Sequence, residues 1–188
     1  TYAPHFISTV VMVSMIMIVL NPSYGIMNSL LSVFGVDAID FMTKAAWFKS
    51  IYVFSDVWQT TGWGSIIYLA ALSGISQELH EAAMIDGATR LNRIIHINIP
   101  GILPVITILF ILNVGNLMSV GFEKVFLMQN PLNLESSEVI ATYVYKAGLL
   151  NIQYSFAAAV GLFNSVINFI LLLSVNAIVK RLGQTSLW

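Results

Sequence analysis

The sequence predicts an all-α integral membrane protein with about four spans, and three observations predict it. Hydrophobic residues make up 57% of the chain and charged residues only 9%, with a mean hydropathy of +0.83; soluble domains carry roughly 25% charge. The apolar residues fall into four long runs, near the ~20 residues a helix needs to cross the hydrocarbon layer. Charge is gathered instead between the second and third runs, at Glu78, Glu81, Asp86, Arg90 and Arg93. A net charge of −1 offers no basic surface for nucleic acid, and the absence of cysteine removes disulfides and thiolate metal sites.

The first expected span is roughly Phe6 to Leu20, closed by the turn signal Asn21-Pro22, and no charge follows until Asp37. The chain opens "TYAPHFIS", without an initiator Met or a basic segment before the apolar run, so it reads as a chain whose beginning is missing rather than as a signal peptide. The second span, roughly Ile51 to Ile75, has Asp56 as its one charge. The third begins near Ile97 and runs uncharged to Glu123; the fourth lies within Ala147 to Val179, before Lys180-Arg181. Loops 21–50, 76–96 and 119–150 join them. Loop 76–96 and the C-terminus must share a side, and hold Arg90, Arg93, Lys180 and Arg181 against Lys44, Lys49, Lys124 and Lys146 opposite. The two sides balance, so the positive-inside rule does not orient the chain.

Within the charged segment, a helix is expected from Gln77 to Asp86, stopped at Gly87, where glycine accepts a left-handed conformation. A second short helix follows from Ala88 to about His96; Pro100 suits the first turn of the next span, and Pro104 is expected to kink it. Such an element suits docking: Ala82 and Ala83 allow close approach, and Glu81 offers a carboxylate to a partner's cation. An ordinary polar loop with a helical turn shares this local pattern. His80-Glu81 begins like the zinc helix H-E-x-x-H, but its second ligand position is Met84. A phosphate loop is also missing, since Lys49-Ser50 follows Phe48 rather than glycine.

Polar residues inside spans are costly and are functional suspects. Asp56, Gln59, Thr60 and Trp63 recur at i, i+3, i+4 and i+7 on one face of the second span; Asn113 and Asn116, continued by Val120 and Glu123, do so on the third. At 1.5 Å per residue, Trp63 and Gln59 lie roughly 21 and 27 Å from Gln77, while Asn113 and Asn116 lie roughly 24 and 29 Å from Ile97. Carboxylate, amides, hydroxyl and indole suit a sugar's hydroxyls and C–H faces, and no dense carboxylate cage suits an ion. Interhelical hydrogen bonding, worth about 0.6 kcal/mol per bond, is the alternative for the asparagines. Asn164 and Asn168 lean further toward that role, and the tyrosines of "TYVYK" and Trp58 serve as readily as interfacial anchors.

The spacing Glu81-Ala82-Ala83, three residues, Gly87, nine residues, Ile97-Asn98-Ile99-Pro100 resembles the E-A-A loop of the membrane subunits of binding-protein-dependent ABC importers, with Ile99 where that pattern has Leu. The stretches "AAMIDGATRLNRIIHINIPGILP", "VGFEKVFLMQN", "TYVYKAGL" and "AVGLFNSVINFILLLSVN" are similar to the LplB-like polysaccharide permeases of the sugar-importer group, over nearly the whole chain. The resemblance implies a type I ABC importer (MetI-like) transmembrane domain over residues 1–188, without the first two of the usual six spans. It makes residues 77–96 a cytoplasmic coupling-helix loop, with Glu78, Glu81, Ala82, Ala83, Asp86 and Gly87 meeting an ATPase. Loops 21–50 and 119–150 then face outward. It further implies a multi-pass, non-catalytic permease of the bacterial inner membrane that moves oligosaccharides or polysaccharide fragments by alternating access. Its partners would be a cytoplasmic ABC ATPase dimer holding ATP and Mg²⁺, a second, related permease subunit and an extracytoplasmic solute-binding protein; the chain itself would hold no cofactor. The rivals are an ion-coupled secondary transporter using Asp56 and a membrane enzyme using His80 and Glu81 as an acid–base pair.

Overall fold

The computed structural model describes residues 2–183 and 185–187, and every regular element among them is helical. A 3-10 turn, Ala3–Phe6, precedes α1 (Thr9–Val19), whose first turn is capped by the Ser8 hydroxyl accepting from Val11 N–H. There follow α2 (Ile26–Val33), α3 (Ala45–Ser73), α4 (Gln77–Ile85), α5 (Arg90–Arg93), α6 (Ile99–Gly115), α7 (Phe122–Met128), α8 (Leu134–Ser137), α9 (Ile140–Tyr145) and α10 (Tyr154–Arg181).

The four apolar runs meet different fates. Among the described residues, two helices are long and apolar enough to cross a membrane: the continuous stretch Arg90–Gly115, and α10. Only 6% and 0% of their apolar windows are buried, so these surfaces need a non-aqueous surround. At 29 residues α3 is also long enough, but its polar stripe keeps it below the hydropathy of the other two. The first run yields a helix of 11 residues, α1, about 16 Å long.

The expected end of a short helix near His96 is not found. Instead α5 passes into α6 through one π turn, Ile94–Asn98, in which Ile99 N–H donates to Ile94 carbonyl. Pro100 follows at once; it has no N–H, and a wider turn relieves the clash between its ring and the carbonyl four residues back. Further on, α6 continues through Pro104, and the Thr107 hydroxyl donates to Leu103 carbonyl at 2.6 Å. The third run does not stay helical to Glu123. It stops at Gly115, with Asn116 as its C-cap, so Val120 and Glu123 do not extend the Asn113–Asn116 face. Gly115 lies against α10, where an added Cβ would stand 2.7 Å from Leu172 Cδ1.

The chain divides into two compact units. The first comprises Thr1–Trp63 and Ser119–Gly161. Its core is Val13, Phe48, Val125 and Met128, joining α1, α3 and α7. The loop after α7 is braced by the fully buried Asn133, whose Nδ2 donates to Met42 carbonyl (2.9 Å) and Met128 carbonyl (3.1 Å). Asn130 donates to the same Met42 carbonyl, and the Ser136 hydroxyl to Ala45 carbonyl. The second unit comprises Gly64–Met118 and Leu162–Trp188. There Gly101 packs on Ile75, and Met118 N–H donates to Asn168 Oδ1 at 3.2 Å.

Candidate coupling loop and polar stripe

The charged segment folds into a self-contained element. The Ser76 hydroxyl caps α4 by accepting from Glu78 N–H at 3.2 Å, and Gln77 Nε2 donates to Glu81 Oε1 at 3.1 Å. At the other end, Gly87 N–H donates to Met84 carbonyl (3.1 Å) and Ala88 N–H to Ala83 carbonyl (2.8 Å). These two bonds form a Schellman motif, which needs a left-handed residue. Gly87 supplies it with φ 77°, and nothing stands within 4 Å of the Cβ it lacks, so backbone conformation alone selects glycine. Thr89 then accepts from Asn92 N–H and starts α5. The expected helix, glycine turn and helix are therefore present. The two caps, Ser76 and Thr89, were legible as hydroxyl residues just before helical runs, but the sequence reading did not use them.

Of the expected coupling residues, Glu78, Glu81, Ala82, Asp86 and Gly87 are exposed and Ala83 is half-buried. Leu79, Met84, Ile85 and Leu91 are exposed beside them, Ile85 at 87%. Acidic groups bordering bare aliphatic side chains make a surface suited to a protein partner with both an apolar cleft and cations.

The stripe on α3 lies in the first unit, and each member has a defined neighbour there. Asp56 Oδ1 pairs with Lys124 Nζ of α7 at 3.3 Å; the lysine side chain is 6% exposed and the aspartate 48%. Lys124 also sits 5.1 Å from the centre of the Tyr52 ring. Gln59 Nε2 donates to Ile7 carbonyl at 3.0 Å, and the Thr60 hydroxyl turns back to Asp56 carbonyl. The Trp63 indole stacks on His5 at 4.5 Å with 6° between planes, with the edge of Phe6 at 5.9 Å. Sequence reading placed the four residues on one face but missed Lys124, Tyr52 and the His5–Ile7 segment. A lysine in the apolar run around Val125 was the available signal, because a buried ammonium needs a carboxylate.

Asn113 and Asn116 lie in the second unit, both exposed, and Asn116 Nδ2 donates to Leu112 carbonyl within its own helix. Asn168, expected to hold helices together, does accept from the chain just beyond α6, at Met118. In the loop after α8, burial raises the Glu138 carboxyl, but hydrogen bonds from Lys146 and Thr142 and the Lys146 charge outweigh it and hold the carboxyl below its usual range. The Lys146–Glu138 contact is 2.8 Å.

The chain belongs to the family of binding-protein-dependent transport system inner membrane components, whose model matches residues 1–184. It is 40% identical over its full length to the polygalacturonan/rhamnogalacturonan transport system permease protein YteP of Bacillus subtilis (strain 168), covering 58% of that protein. It is also 40% identical to protein LplB of the same organism, covering 59%. The chain thus spans about three fifths of these relatives. Among solved structures, it is similar to a chain of a bacterial alginate ABC transporter crystallised with an alginate pentasaccharide-bound periplasmic protein, with TM-score 0.95, 39% identity, and coverage of 99% of this chain and 65% of that one. A second structure, of a bacterial ABC transporter that imports the acidic polysaccharide alginate, gives TM-score 0.92 at 40% identity, covering 96% and 63%.

Proposed function

We propose that the chain is part of the permease subunit of an ATP-driven importer that takes up oligosaccharides or polysaccharide fragments. An extracytoplasmic solute-binding protein delivers them, and alternating access carries them inward. The observation that carries the reading is the α4–Gly87–α5 element: a capped turn with exposed Glu78, Glu81 and Asp86 beside Leu79 and Ile85, on the stretch whose spacing resembles the E-A-A loop. In this reading it faces the cytoplasm and docks on an ABC ATPase dimer, which holds the ATP and Mg²⁺. Ala82 and Ala83 permit the close approach, Glu81 meets a cation, and Gly87 fixes the angle between α4 and α5. A second, related permease subunit completes the pathway. The chain itself performs no chemistry and takes no cofactor.

Asp56, Gln59, Thr60 and Trp63 on α3, with Asn113 and Asn116 on and after α6, are proposed to line the sugar path. Trp63 offers a stacking face that remains half exposed, and the Asp56 carboxylate is likewise half exposed toward ligand hydroxyls. Relatives named for polygalacturonan, rhamnogalacturonan and alginate support a polymeric sugar as the substrate class. The ion-coupled alternative requires Asp56 to exchange a cation, and the fixed ammonium of Lys124 at 3.3 Å speaks against it.

The test is uptake in proteoliposomes carrying the full-length subunit with its permease partner and ATPase. Labelled oligosaccharides should accumulate only with ATP on the ATPase side and the binding protein on the other. Uptake that follows an ion gradient and survives removal of the ATPase would overturn the proposal.

A further inference from the structure

Helix α2 is amphipathic the wrong way round for a protein in water. Its polar side, Asn28, faces the protein: Nδ2 donates to Asn21 carbonyl (3.1 Å) and Ile39 carbonyl (2.9 Å), and Oδ1 accepts from Ile39 N–H (2.8 Å). Its apolar side faces away, with Ile26 64%, Leu30 56%, Val33 80% and Phe34 81% exposed. These residues recur at i, i+4, i+7 and i+8, a single helical stripe. The serine that borders the stripe is internally satisfied: the Ser29 hydroxyl donates to Gly25 carbonyl at 3.1 Å. Hydroxyls tied to their own helix backbone are compatible with an apolar surround.

We propose that α2 lies flat in the membrane interface, with the Ile26–Leu30–Val33–Phe34 stripe sunk among lipid acyl chains. Three features choose lipid over a protein partner. Asn28 fastens α2 to the end of α1, an apolar helix of an inner membrane component, so the stripe is continuous with a surface already in the bilayer. From Thr1 to Val36 the sequence has no Asp, Glu, Lys or Arg, so neither α2 nor the segment leading into it carries a charge to hold the stripe out of lipid. Tyr24, exposed just ahead of the helix, stands where an aromatic anchor lies at headgroup level. The helix would thus act as an outrigger that sets the height of the α1–α3 connection against the bilayer surface.

The test places single cysteines at Leu30, Val33 and Phe34, and at Ser32 as the opposite face; these 188 residues have none of their own, and any elsewhere in the full-length subunit is replaced by serine. Each is spin-labelled in the assembled importer, built on cysteine-free partner subunits, in liposomes. Collision with oxygen, which concentrates in lipid, is compared with collision with a water-soluble nickel chelate. Labels at 30, 33 and 34 should be relaxed more by oxygen and the label at 32 more by nickel, with or without the solute-binding protein. Strong nickel relaxation at 30, 33 and 34 would place the stripe in water, and weak relaxation by both agents would place it under a protein; either result overturns the proposal. Sugar uptake by the same samples is a separate readout, so this outcome does not depend on the transport reading.

Discussion

The segment 76–96 and the loop 129–146 are both polar excursions from apolar helices, yet they are held in opposite ways. Among the described residues, the hydrogen bonds of 76–96 stay within five positions: caps at Ser76 and Thr89, the Gln77–Glu81 contact and the Gly87 turn. Those of 129–146 reach across the sequence to Met42 and Ala45, through Asn130, Asn133 and Ser136. Three of its polar side chains, Asn133, Ser137 and Thr142, are 0% exposed, whereas Glu78, Glu81 and Asp86 of 76–96 are exposed. The contrast separates two uses of polarity. A braced loop is part of the fold, whereas a locally bonded element with a bare surface fits the proposed role of one moved by another protein.

The comparison can be broken most forcibly at Asn133. Asn133→Leu keeps the volume but strands the donors and acceptors it satisfies, at about 1–3 kcal/mol for each buried group. Thermal stability of the purified complex should fall by about 3 kcal/mol or more. Hydrogen exchange should rise across 129–146 and stay unchanged across 76–96. Exchange rising equally in both would deny that they are held separately.

A smaller effect is expected from Ser76→Ala. Loss of one cap typically costs about 1 kcal/mol. Because α4 depends on local bonds, exchange should quicken in its first turn alone. No change there would mean that packing, rather than capping, maintains the helix.

The smallest effect is a pH dependence confined to the braced loop. Glu138 has a folded-state pKa below the ordinary glutamate value, so its contribution is present above that unfolded value, about 4.3, and is lost as pH falls through the lower folded one. Protection at 138–146, the exchange rate relative to the intrinsic rate at each pH, should therefore be steady from neutral pH to about 5 and fall only in stronger acid. Glu138→Gln should remove that acid transition, and its persistence in the variant would assign the titration elsewhere.

What the sequence made legible follows the range of the forces involved. The spans appear as apolar runs, and the α4–α5 turn appears because Gly87 and Pro100 act on their own backbone neighbours. The π turn at Ile94–Asn98 was hidden, since Pro100 is equally at home in the first turn of a fresh helix and does not by itself signal a widened turn in a continuous one. The pairing of Asp56 with Lys124 was hidden for another reason: an ion pair between residues 68 positions apart leaves no local period. The same holds for Asn133 and Asn28, whose sequence neighbours look like ordinary loop residues. In the stripe on α3, the helical period identified the face, but only the fold reveals that Gln59 and Trp63 already touch the segment His5–Ile7.

The central claim is that the turn at Gly87 transmits the ATPase stroke to the pathway, and two substitutions at that one position test it most directly. The missing Cβ has open space, so only φ 77° discriminates between them. Asparagine tolerates that conformation, and a β-branched side chain does not. In the reconstituted importer, sugar uptake per ATP hydrolysed should be nearly unchanged in Gly87→Asn. It should fall about tenfold or more in Gly87→Val, with assembly intact and ATP still consumed. Normal uptake per ATP in a fully assembled Gly87→Val importer would contradict the account.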